Sequence, residues 1–170
     1  MTNSEEESLH HKVVYKILPE FAKKLKEEGL ISGWDRKQFR IQVVKGREPV
    51  RVNPDLTLHV PDRGKVVVEV VNPRRNPKRY IGELVYPHIL GNLQRIGAAI
   101  FLVLHYPRSR RSERAISQEL SFQRFFKKTI PDIVLYLRAS DLEKIDLSRD
   151  QIYKVFKGSV MDYKNNGKFY

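Results

Sequence analysis

Val52-Asn53-Pro54-Asp55-Leu56-Thr57-Leu58-His59-Val60, the turn Pro61-Asp62-Arg63-Gly64, and Lys65-Val66-Val67-Val68-Glu69-Val70-Val71-Asn72 form the stretch around which the rest of the chain must be fitted. The second run is almost continuous valine, the composition of a strand buried on both faces, yet Glu69 stands in its middle. An ionised carboxylate in an apolar sheet costs several kcal/mol, by rough estimate, unless a cation, a metal or donors compensate it. The turn makes the two runs an antiparallel hairpin, and Asp55 lies in the polar register of the first run with Asn53, Thr57 and His59. Two acids on adjacent strands suggest a divalent cation.

Outward from the hairpin, Ser4 and the acids Glu5, Glu6 and Glu7 read as a helix start, and the helix is expected to run to about Glu28, before Gly29. On a wheel of 100° per residue centred on Ile17, Val13, Val14 and Phe21 share its face, and so do Glu6 and His10. Pro19 is expected to kink or split this helix. Residues 38–45 (QFRIQVVK) alternate, Gly46-Arg47-Glu48 reads as a turn, and residues 49–60 read as the next strand, so that a three-stranded meander ends at Val71. Asn76-Pro77 opens a helix expected over residues 77–95, kinked at Pro87. Residues 98–106 (AAIFLVLHY) form an apolar strand that, being reached by a helical crossover, should run parallel to the Glu69 strand or to a neighbour. Residues 115–128 read as a helix and residues 132–138 (DIVLYLR) as a fifth strand. Beyond Asp141 the signals weaken. Residues 141–145 suit a short helix and 151–156 a strand or helix, while 161–170 reads as a loosely ordered tail after a single domain spanning residues 1–160.

The 170 residues suit one domain with a real core. Lys and Arg number 32 against 20 acids, a formal charge of +12. The resulting pI near 9.9 favours a polyanionic partner such as nucleic acid over a small neutral metabolite, although a basic surface kept for solubility is the plainer reading. With no cysteine there is no disulfide framework, thiolate zinc site or cysteine nucleophile. No apolar run approaches the roughly 20 residues of a membrane span, and the acidic N-terminus is unlike a signal peptide, so an intracellular (cytoplasmic) protein is expected, with no membrane partner.

The order helix, three-stranded meander, crossover helix, strand, with Pro54-Asp55 followed fourteen positions later by Glu69-Val70-Val71, resembles the core of the PD-(D/E)xK nuclease superfamily. The resemblance covers residues 4–106 and implies an α/β, restriction-endonuclease-like αβββαβ fold, a central mixed sheet of about five strands flanked by helices. It implies a metal-dependent endonuclease in which Asp55 and Glu69 bind Mg2+ or Mn2+ and hydrolyse the phosphodiester bonds of DNA, favoured over RNA. The superfamily places a lysine two residues after the second acid, and here that position is Val71. Some branches carry the lysine on the following helix, and Glu69-Val70-Val71-Asn72-Pro73 is similar to the segment of one such branch. Lys78, on the sheet-facing side of the expected helix, is the candidate. Glu6 resembles an extra acid that several branches place on the first helix. Superfamily enzymes that cut both strands often work as dimers, which raises a homodimer here.

Two basic clusters flank the helix expected between the third and fourth strands. Arg74, Arg75 and Arg79 beside Lys78, and Arg108, Arg110 and Arg111 in the loop after the fourth strand, are expected to hold a phosphate backbone. His10, His59, His88 and His105 lack metal-ligand spacing and read as core or surface histidines. The runner-up reading is a nucleic-acid-binding module on the same fold whose catalysis lapsed at Val71. A third is a basic scaffold for an acidic protein.

Overall fold

The computed structural model describes residues 10–41, 45–71, 97–104, 134–139 and 145–167. It is a mixed α/β fold. Residues 10–12 are helical and lead into a π-helical turn, Val13–Ile17, continued by α1, Leu18–Glu27. The wide turn sits just before Pro19, whose missing N–H and bulky ring disrupt the regular ladder at that point. The helix stops at Gly29, whose φ of 71° suits glycine, and Leu30 N–H donates back to Leu25 O at 2.9 Å.

Five strands form the main sheet in the order β1 (Gly33–Asp35), β4 (Leu56–Val60), β5 (Gly64–Val71), β6 (Ala98–Leu104), β7 (Val134–Ala139). β2 (Phe39–Ile41) and β3 (Val50–Val52) form a separate antiparallel ribbon. β1, β4 and β5 are antiparallel neighbours, whereas β6 and β7 run parallel to β5 and to each other. The expected parallel arrival of the strand after the crossover is found, as is the fifth strand. The expected meander needs correction in its first two strands. Within the expected strand at 38–45, Phe39–Ile41 pairs with β3 and not with the hairpin; the three-residue β1 does pair with it, with Trp34 opposite Leu58. Nor is the run 49–60 one strand, because Pro54, without an N–H to donate, separates β3 from β4 and leaves the first free to pair with β2.

One face of the sheet is packed by Leu56, Leu58 and Val60 of β4, Val66, Val68 and Val70 of β5, and Ile100 of β6, all buried. Val13, Val14 and Ile17 from the π turn, with Leu18, Phe21 and Leu25 from α1, cover it, as the helical phase predicts. The rest of the cover is α2, Ile145–Asn166, through Phe156, Val160 and Tyr163. Each such side chain contributes about 1.5–3 kcal/mol on burial.

The loosely ordered tail expected from residue 161 is corrected by this helix, which continues to Asn166 and ends at Gly167 (φ 73°). Its last turn is held by the β4–β5 turn. Arg63 Nε donates to Lys164 O and its terminal nitrogen to Asn165 O, both at 2.8 Å, placing a cation on the helix's unsatisfied carbonyls. In return Tyr163 Oη donates to Arg63 O at 3.1 Å. Among the described residues no helix is long and apolar enough to cross a membrane. The helices expected at 77–95 and 115–128 lie outside the described residues.

Candidate metal and nucleic-acid site

On the face of the sheet opposite the apolar core, alternation brings polar residues together. Asp35, Thr57 and Val67 form one cross-strand row, and Gly33, His59 and Lys65 the next. Asp55 immediately precedes Leu56 of β4 and Glu69 immediately follows Val68 of β5, so the two sequence-predicted acids each lie one residue beyond the Leu56–Val68 rung. The sheet gives Asp55 a fixed seat: its Oδ2 accepts the backbone N–H of Val70 at 2.8 Å, and its side chain is 21% exposed. Glu69 is partly buried while its neighbours Val68 and Val70 are fully covered. A carboxylate that accepts a backbone N–H is oriented and relieved of part of its desolvation cost.

His10 joins this pair from the first helix. Its Nε2 lies 3.3 Å from Val70 O and 4.0 Å from Asp55 Oδ2. Because a carbonyl only accepts, Nε2 carries the proton, which aims a donor at the strand edge beside the Asp55 carboxylate. His10 thus stays within its reading as a core or surface histidine, part-exposed and set on a backbone carbonyl. Its helical phase, shared with Ile17, carried the signal; motif spacing could not.

The second histidine is held as well. His59 Nε2 donates to Asp35 Oδ2 at 2.8 Å, and Asp35 Oδ1 accepts Lys37 N–H at 2.8 Å. Partial burial works to raise the Asp35 carboxyl, but the Lys37 N–H and the His59 imidazole outweigh it and hold the group below its ordinary value. Four residues of extended strand, about 13 Å, separate His59 from Asp55, so the two cannot share one cation. The Asp35–His59 pair instead fastens the short edge strand β1 to β4. Between the two carboxylate positions lies Thr57, 0% exposed, whose Oγ1 finds no hydrogen-bond partner among the described residues. A buried hydroxyl left so costs on the order of 1–3 kcal/mol, and nothing in the sequence pattern announced it.

Of the remaining predicted residues, Glu6, Lys78, Arg74, Arg75, Arg79, Arg108, Arg110 and Arg111 all lie outside the described residues. The lysine of β5 itself, Lys65, is placed away from the pair: its amine lies 4.9 Å over the Phe39 ring.

The donor chemistry at Asp55 and Glu69 suits a hard cation. Both are carboxylates, and Mg2+ is commonly bound through one or two carboxylates with water and substrate phosphate filling the remaining positions. Among the described residues no three His, Asp or Glu side chains gather into a closed ligand set. No protein-family model, curated protein or solved structure matches the chain.

Proposed function

We propose that this chain is a metal-dependent nuclease that hydrolyses DNA phosphodiester bonds, with Asp55 and Glu69 as the ligands of Mg2+ or Mn2+. The observation that carries the reading is that Asp55, one residue before β4, accepts with its Oδ2 the backbone N–H of Val70, the residue directly after Glu69 on β5. The strand arrangement supports it. An antiparallel β1–β4–β5 unit preceded by a helix and followed by the parallel β6 is similar to the αβββαβ restriction-endonuclease-like core.

The chemistry that such a cation supplies is Lewis acidity toward water and a phosphoryl oxygen. The chain's own residues do the rest. Val70 N–H orients Asp55, and Glu69 adds the second carboxylate from the adjacent strand. His10 adds a proton donor within 4.0 Å of Asp55. Lys78 is the residue to which the ammonium role falls, stabilising charge that develops on the phosphate. The surplus of cations over acids, 32 to 20, supplies sequence-independent affinity for a polyanion.

Incubation with supercoiled plasmid and labelled oligonucleotides in Mg2+ or Mn2+, against chelator, tests the reading. Cleavage that disappears in both Asp55→Asn and Glu69→Gln is the expected result. Val71, at the position where the superfamily has its lysine, favours one second reading, a binding module without catalysis. Salt-dependent DNA binding with no cleavage under any divalent cation would establish that reading instead.

A further inference from the structure

The β2–β3 ribbon takes no part in the main sheet, and its charge pattern asks for a partner. Arg40 stands directly opposite Arg51 in its register, and both are exposed. Like charges facing each other across a ladder are destabilising. Neither arginine has an ion-pair partner among the described residues. Residues 37–51 hold five cations, Lys37, Arg40, Lys45, Arg47 and Arg51, against the single acid Glu48. One rung beyond the Phe39–Val52 pair, Gln38 Nε2 donates to Asn53 Oδ1 at 2.7 Å, both side chains exposed. By the two-residue period, this amide pair and the arginine pair share one face of the ribbon.

We infer that this ribbon is a duplex-DNA-reading element that lies in the major groove with its Gln38–Asn53 and Arg40–Arg51 pairs toward the base edges. The inference rests on the nucleic-acid reading above and adds where and how the duplex is held. The major groove of B-form DNA, about 12 Å wide, admits a two-stranded ribbon, and arginine and the amide side chains are the types that bond bidentately to guanine and adenine edges there. Spacing agrees: two residues along an antiparallel strand advance about 6.8 Å, and two base-pair steps advance about the same. A-form RNA has a deep, narrow major groove that side chains do not read, which sets DNA apart as the partner.

The ribbon is anchored where such a role requires. Lys65 lies 4.9 Å over the Phe39 ring, and Arg36, just before β2, donates to Val14 O and lies 4.5 Å over the Tyr15 ring. β3 leads through Asn53 and Pro54 straight to Asp55. Asp55 lies four positions after Arg51, at most about 14 Å of chain, so a duplex gripped by the ribbon is held within about four base pairs of the carboxylate pair.

Fluorescence anisotropy with the full chain tests this, using a labelled mixed-sequence DNA duplex and an RNA duplex of the same sequence, in chelator so that binding alone is read. Arg40→Ala/Arg51→Ala should weaken DNA-duplex binding at least tenfold while leaving the weaker RNA-duplex binding unchanged. Arg40→Lys/Arg51→Lys, which keeps both charges but loses the planar fork, should bind non-specific DNA nearly as the wild type does and lose sequence preference in a selection from random duplexes. Equal DNA affinity for wild type and the alanine variant overturns the inference, and so does an equal loss on DNA and RNA duplexes. Circular dichroism of both variants guards against misfolding, and the lysine variant supplies the sequence-preference readout even where alanine perturbs the ribbon. Failure of the nuclease reading shows separately, as absent cleavage in Mg2+ by a wild type that still binds through the arginines.

Discussion

Replacing Asp55 in two ways separates its structural task from its chemical one. Its Oδ2 accepts Val70 N–H at 2.8 Å in a partly buried setting, and Val70 itself is 5% exposed. Alanine removes the acceptor and leaves that N–H without the carboxylate, a cost of about 1–3 kcal/mol. Asparagine keeps an acceptor of the same shape without the charge, and since a charged hydrogen bond is worth about 1.5–3 kcal/mol against about 0.5–1.5 for a neutral one, Asp55→Asn should lose about 1 kcal/mol. At about 2–4 °C per kcal/mol for a chain of this size, Tm should fall by a few degrees for asparagine and roughly twice that for alanine. Activity should not follow stability. A neutral amide is a poor ligand for a hard cation, so both variants should lose at least about 100-fold in plasmid cleavage, about 2.7 kcal/mol of barrier. Thermal melts and nicking assays on the same preparations give both numbers. If Asp55→Asn cleaves at the wild-type rate, Asp55 is no metal ligand; if the two variants melt together, the bond to Val70 is not what Asp55 contributes to stability.

Three further outcomes are expected. Lys78→Ala should lower turnover at least tenfold, about 1.4 kcal/mol, with DNA affinity unchanged, read by single-turnover cleavage beside a gel shift. Asp35, held below its ordinary value by the Lys37 N–H and His59 against the opposing effect of burial, stabilises the fold above the ordinary carboxylate range near pH 4, and that stability is lost as pH falls through its lowered native value. Urea midpoints should therefore fall less steeply on acidification for Asp35→Asn than for the wild type. Arg63→Ala removes both bonds to the end of α2 and should cost about 1 kcal/mol, appearing as faster amide exchange in the last turn of that helix while β4 and β5 stay protected.

The sequence made the strands legible where burial writes a long signal. β5, β6 and β7 each span six residues or more and lie in apolar runs, so their existence could be read directly. β1 could not: it has three residues, begins with glycine and owes its place to pairing with β4. The alternating run at 38–45 was a genuine strand signal attached to the wrong partner, because hydrophobic period fixes a strand's faces and says nothing of its neighbour. α2 was legible only in short pieces, at 141–145 and 151–156, because its core residues Phe156, Val160 and Tyr163 sit among lysines and a mid-helix glycine, Gly158. Its last turn is secured by Arg63, a hundred residues earlier.

The site divides in the same way. Glu69 was visible because a carboxylate in a valine strand is an energetic anomaly, and Asp55 because it stands in the polar register of the neighbouring run, where Val70 N–H now proves to hold it. The Asp35–His59 bond was invisible because it depends on a β1–β4 register that no local pattern encodes. His10 falls between the two. Helical phase aimed it at the sheet, but only the arrival of the strand end at Val70 gives its Nε2 a carbonyl to donate to and a carboxylate 4.0 Å away. Val71 sharpens the point. It stands two positions after Glu69 in the sequence, in register with Val103 of β6, and as an aliphatic residue it offers the carboxylates no cation. Lys65 cannot compensate, since about 13 Å of strand separates it from Glu69 and its amine already lies over Phe39. Any cation that serves the carboxylate pair must therefore reach it from outside β5, which is why the helix expected after Pro77, and not the strand, is the place to look for it.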